Sequence, residues 1–202
     1  DDRQPAKKPA EPVATTAAPR SAEVRFGFSL YGMKSLPLRE GLKACAEIGY
    51  GAVELALMPG WPGEPRLLSP ADRQQLRKLL HDSSLQLAGL MENLALLAEG
   101  DDQARNLERI KQAAELGHQL APDRPPVLET ILGGNPAQWD SVKERMVERL
   151  QQWAKVAEEA KIVIAIKPHV SGALHTPEAA QWLVHKVASP HIKLVYDVSH
   201  YL

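Results

Sequence analysis

Six short segments of the chain each end in a group that can ionise or form hydrogen bonds. The first ends in Tyr31, and the second carries Glu54 within the apolar run VELAL. The third ends in Glu92 and Asn93, and the fourth in Glu129 and Thr130. Lys167, Pro168 and His169 close the fifth, and Asp197 closes the sixth with His200 three residues on. An aspartate and a histidine at that spacing, with carboxylates supplied from elsewhere, suit a divalent metal with oxygen and imidazole ligands. They equally suit proton transfer next to a carbonyl, with a metal or a lysine stabilising the enediolate charge. Glu54, Glu129, Lys167 and Asp197 are therefore the candidate catalytic groups, and Asp197 is also the candidate metal ligand. Tyr31, Glu92, Asn93, His169 and His200 are candidates for binding substrate. So many polar groups at equivalent positions suit a small polyhydroxylated or carbonyl-bearing ligand, because buried polar groups left unpaired are costly.

Positioning these groups requires strands that all deliver their ends to one side. The hydrophobic pattern supplies them. VRFGFSL (24–30), Ala52–Leu57, Leu85–Met91, Pro126–Thr130, IVIAI (162–166) and IKLVY (192–196) read as strands. Between them lie five helical patterns. Leu38, Leu42, Cys45 and Ile48 recur at helical spacing before Gly49. Ser69-Pro70-Ala71-Asp72 starts a second helix, with serine as N-cap and proline at the first position. Residues 102–117 form a third, closed by Gly117, and 137–160 a long fourth. Thr176-Pro177-Glu178 opens the fifth. Strict β-α alternation predicts an α/β fold with a parallel sheet and helices outside it. Sites in such folds lie at the carboxyl ends of the strands.

The chain has 202 residues, of which 44% are hydrophobic and 24% charged. That composition is ordinary for a globular domain. Lys and Arg total 24 against 25 Asp and Glu, for a net charge of −1. Such a balance carries no electrostatic footprint for nucleic acid or anionic membranes. No apolar run is long enough to span a bilayer. Cys45 is the only cysteine, which excludes an intrachain disulfide and a cysteine-based zinc cluster. Neither a Gly-rich phosphate loop nor a Gly-Xaa-Ser-Xaa-Gly elbow is present.

Residues 1–23 read as an Ala/Pro-rich tail or linker, too poor in large apolar side chains to pack. Such a tail behind a non-Met start is what a cleaved export signal leaves. A periplasmic or extracellular location is favoured over a cytoplasmic one. The roughly 180 residues that follow are fewer than the about 250 of a complete eight-unit barrel.

Two segments carry a family resemblance: FGFSLYGMKSLPLREGLKACAEIGYGAVEL (26–55) and IAIKPHVSGALHTPEAAQWLVHKVASPHIKLVYDVSHY (164–201). They resemble the xylose isomerase-like TIM-barrel superfamily, which includes sugar phosphate isomerases and epimerases, keto-sugar 3-epimerases, inosose dehydratases and apurinic endonucleases. The shared features are the first strand, the Glu47-Ile48-Gly49 turn, the second strand with Val53-Glu54-Leu55, and the fifth and sixth strands. The resemblance implies a (β/α)8 barrel over 24–202, incomplete because strands seven and eight are missing. It implies a sugar isomerase or epimerase. The alternatives are a sugar lyase or dehydratase and a non-catalytic sugar-binding module on the same scaffold. An endonuclease fits poorly, since the chain lacks a basic groove. The family holds a divalent metal (Mn, Mg, Co or Zn) through a glutamate ending strand five, an aspartate ending strand six, and ligands on strands seven and eight. Asp197 matches the aspartate, and His200 a histidine that contacts substrate. Lys167 stands where the glutamate is expected, and a protonated ammonium cannot ligate a cation. The expected partner is a small sugar or polyol, with no nucleic acid and no membrane span. An open barrel edge would also favour a homo-oligomer.

Overall fold

The structure, a computed structural model, describes residues 24–201, so the tail expected over 1–23 lies outside the described residues. Six strands form one parallel sheet in the order of the sequence. They are β1 (Gly27–Ser29), β2 (Ala52–Ala56), β3 (Gln86–Asn93), β4 (Val127–Ile131), β5 (Ile164–Ile166) and β6 (Ile192–Leu194). The helices between them are α1 (Leu38–Ile48), α2 (Pro70–Asp82), α3 (Gly100–Leu120), α4 (Trp139–Glu159) and α5 (Pro177–Val187). Every element expected from the hydrophobic pattern is present. None of the helices is long and apolar enough to cross a membrane.

Local chemistry explains the helix ends. Ser69 and Asp72 form a reciprocal capping box at the start of α2, with Pro70 at the first position. The Thr176 hydroxyl accepts the Ala179 N–H at the start of α5. Gly49 closes α1 at φ +98°, which favours glycine. Gly117 behaves otherwise than expected: α3 runs through it to Leu120. A methyl group there would stand 3.3 Å from Leu90 and Pro126. This glycine therefore lets the helix lie close to the sheet. The first strand is shorter than its apolar pattern, because Val24 and Phe26 are 82% and 79% exposed and Leu30 already belongs to a 3-10 turn.

Alternation separates the two faces of the sheet. Val53, Leu55, Leu90, Leu128, Ile164 and Ile166 are buried in one core with Leu42, Leu76, Ile110, Met146, Leu150 and Trp153 of the helices. Full burial of each such side chain stabilises the fold by about 1.5–3 kcal/mol. The intervening positions carry Ser29, Glu54, Gly89, Glu129 and Ala165, with Met91 beside Glu129. Ser29 pairs in register with Glu54, Glu54 with Gly89, and Glu129 with Ala165. A register shift between Val53 and Glu54 adjusts β2 against β3 at this level.

Candidate functional site

The polar face begins with a chain of side chains running from β1 to β5. The Ser29 hydroxyl donates to Glu54 Oε1 at 2.6 Å. Glu54 in turn shares a carboxyl–carboxyl hydrogen bond with Glu129. Lys167 Nζ, just past β5, lies 2.5 Å from Glu129 Oε1. That last contact is an ion pair whose angles miss those of a hydrogen bond, and Glu129 Oε1 has no hydrogen-bond partner. Burial pushes the Glu54 carboxyl up to about 7. The Glu129 charge and its hydrogen bond add to the rise, against the opposing pull of Ser29 and Lys167.

Above this chain opens a cleft of about 540 Å³ at the carboxyl ends of the strands. Lys167 reaches its floor, while Glu54 and Glu129 lie outside its lining. His169 and His200 stand together on one side, with ring centroids 4.2 Å apart. The Ser171 backbone N–H donates to His169 Nδ1 at 3.2 Å. A backbone N–H can only donate, so Nδ1 is the acceptor and the neutral ring carries its hydrogen on Nε2. The His169 ring is held below the usual imidazole range, first by burial and then by its neighbours His200 and Lys167, with Asp197 pulling the other way. His200 Nε2 is 3.5 Å from Asp197 Oδ2, within ion-pair reach. Asp197 Oδ1 accepts the Ser199 hydroxyl at 2.7 Å and the Ser199 N–H at 3.1 Å. The Ser199 hydroxyl is the main reason the Asp197 carboxyl sits below its ordinary range.

The opposite wall is aromatic. Tyr31 and Trp61 are stacked, with centroids 4.8 Å apart and planes 19° from parallel. Lys34 Nζ lies 4.8 Å from the Trp61 ring. Asn93 also lines the cleft. Glu92 borders it but is only 2% exposed, and its carboxylate is taken up by Arg109 of α3. Burial raises the Glu92 carboxyl despite the opposing pull of Arg109. The structure thus brings Tyr31, Asn93, Lys167, His169 and His200 to the cleft, with Asp197 beside His200. It places Glu54 and Glu129 beneath Lys167, and it ties Glu92 into an ion pair.

Sequence reasoning missed Trp61 and Arg109. A signal existed for Trp61: an aromatic residue in a Pro/Gly-rich loop directly after a strand, in MPGWPGEP. Arg109 gave none, because a basic residue on an exposed helix pattern reads as solvated.

The residues present do not fit the divalent metal that the resemblance implies. Lys167 occupies the strand-five ligand position, and its ammonium faces the Glu129 carboxylate. Among the described residues, no group of three or more His, Cys, Asp or Glu side chains could hold a metal ion.

The model of one protein family, described as the xylose isomerase-like TIM barrel, matches residues 42–202. No curated protein matches the chain. Among solved structures, the probable 3-DHS dehydratase AsbF from Bacillus anthracis superposes with a TM-score of 0.74 at 15% identity. The IOLI protein with a bound zinc atom gives 0.70 at 18%. D-psicose 3-epimerase from Clostridium cellulolyticum with D-tagatose gives 0.69 at 15%. Each similarity covers 88% of this chain and 64% of the other, so this chain spans less than two thirds of those proteins. At such identities the likeness establishes a TIM-barrel fold, of which six β-strands and five helices are seen here.

Proposed function

The chain belongs to the xylose isomerase-like TIM barrel family, and from that premise we propose that it moves a proton beside the carbonyl of a small sugar or polyol, as an isomerase or epimerase. One observation carries the reading: an ammonium group, anchored by a carboxylate, sits at the floor of the cleft beside two imidazoles. A sugar would lie against the Tyr31–Trp61 wall, its carbonyl oxygen toward Lys167 and the Nε2–H of His169. His200, oriented by Asp197, would take the proton from the carbon next to the carbonyl. The C–H electron pair then forms the enediol double bond and the carbonyl electrons move to oxygen. Lys167 and His169 stabilise the negative charge that develops there. Isomerisation follows when the adjacent hydroxyl passes its proton to the charged oxygen and the carbon-bound proton returns to the former carbonyl carbon. Epimerisation follows when the proton returns to the other face of the original carbon and the charged oxygen re-forms the carbonyl. Groups placed in this way typically contribute about 10²–10⁴-fold each as acid or base.

The test is solvent exchange. The protein is incubated in deuterium oxide with a panel of ketoses and aldoses, and carbon-bound deuterium is read by NMR. Incorporation that disappears in Lys167→Met supports the proposal. Sugar binding without exchange would overturn it in favour of a binding module. Loss of water from the sugar would reassign the reaction to a lyase or dehydratase.

A further inference from the structure

Glu54 does not line the cleft, yet it is built into the site with unusual care. It is a carboxyl on a strand whose neighbours Val53 and Leu55 are buried against helices. On its own face it meets one group from each adjacent element. From β1, the Ser29 hydroxyl is committed to Oε1. From β3 comes Gly89, where an added methyl group would stand 3.1 Å from Glu54 Oε2. From β4 comes the Glu129 carboxyl, and from beyond β5 the Lys167 ammonium. Only Glu129 and Lys167 among these bear charge. Two carboxylates in hydrogen-bond contact cannot both be ionised cheaply in a partly buried place. One proton shared between them removes the conflict, and it leaves one negative charge to balance one ammonium.

We propose that Glu54 is a positioning residue that acts through Glu129 on Lys167: as a carboxylic acid clamped by Ser29, it donates a hydrogen bond to Glu129 and fixes that carboxylate against the Lys167 ammonium. Ionisation of Glu54 adds a second negative charge beneath Lys167. It also turns the shared hydrogen bond into a repulsion. The charge that Lys167 presents to the cleft is then reduced, and the lysine is drawn down toward the carboxylates. Burial and the Glu129 charge place this ionisation at about 7, so the arrangement changes within the neutral range. The inference rests on the proposed function only for what Lys167 does to a substrate. The arrangement and its titration can be read without one.

The experiment is carbon-13 NMR of the full chain from pH 5 to 9. It follows the carboxyl carbons of Glu54 and Glu129 and the ε-carbon of Lys167. In the wild type all three should move with a common midpoint near pH 7. Glu54→Gln keeps the shape: its carbonyl can accept from Ser29 and its amide can donate to Glu129. In that variant the step should vanish from Glu129 and Lys167, and both should stay at their low-pH shifts. Ser29→Ala removes a bond that favours the ionised acid, so the midpoint should rise. An unchanged step in Glu54→Gln, an unmoved midpoint in Ser29→Ala, or a flat wild-type profile between pH 6 and 8 would overturn the inference. Because no sugar is present, none of these results depends on whether the deuterium exchange test succeeds.

Discussion

Lys167 Nζ lies 2.5 Å from Glu129 Oε1, joining the end of β5 to the middle of its neighbour β4. Both side chains are largely withdrawn from water, at 14% and 10% exposure. Each charge therefore depends on the other. A buried ion pair is weak evidence for net stability, because desolvation offsets much of the attraction. Removing one partner is a different matter, since it strands the other.

Lys167→Met and Glu129→Leu should accordingly each destabilise the protein, by about 3 kcal/mol at the lower end of measured cases. The double variant should be less damaging than the sum of the two. Urea unfolding of all four proteins measures the coupling. Strictly additive losses would mean that the pair does not interact across the strands.

Glu54 makes stability depend on pH, and the sign is defined. Its folded pKa of about 7 lies above its ordinary value of 4.5. Between those values the native state holds a proton that the unfolded chain has released. The resulting stabilisation is full below about pH 4.5 and is lost as pH rises to about 7. It amounts to about 3 kcal/mol at most, from 1.36 kcal/mol per unit. Glu54→Gln cannot ionise, so the difference in unfolding free energy between it and the wild type should change over that window and level off above it. A constant difference would place the Glu54 carboxyl at its ordinary value.

Gly63 holds the loop that carries Trp61. A methyl group added there would stand 2.5 Å from the Ala56 carbonyl oxygen, which belongs to the backbone of β2 and cannot swing aside. Gly63→Ala should destabilise the protein by about 1–3 kcal/mol. It should also disturb the Tyr31–Trp61 stack, which tryptophan fluorescence would report. Gly49→Ala serves as a contrast: nothing lies within 4 Å there, and only the positive φ is strained.

The strand ends were legible because alternation reveals which face a residue takes. Val53 and Leu55 point one way, so Glu54 must point the other. IVIAI leads straight into Lys167, which predicts a charged group at the rim of a buried strand. The side chains that complete the wall were not legible, because their positions depend on contacts distant in sequence or on loop geometry. Trp61 is placed by a loop in which Glu64 accepts the Gly60 N–H at 2.7 Å and pairs with Arg66. Arg109 meets Glu92 from 17 positions further along the chain, over an intervening loop and helix. Gly117 is ambiguous from sequence alone, since helix termination and close packing both select glycine. Its place beside Leu90 and Pro126 resolves the choice. Glu92 follows the same logic: its strand position was apparent, but its outward commitment to Arg109 depends on how α3 lies on the sheet.

Asp197 separates a functional role from a structural one. Its Oδ1 caps a short 3-10 turn through Ser199, while Oδ2 faces His200. Asparagine retains a capping oxygen, and Asn and Asp are near-equal caps. Asp197→Asn should therefore alter stability by less than about 1 kcal/mol. It removes the negative charge that orients and supports a protonated His200, so deuterium exchange into the sugar should fall by at least about tenfold, given the size of acid–base contributions. Unfolding and exchange measured on the same preparation decide the matter. Lost stability with retained exchange would make Asp197 a capping residue only.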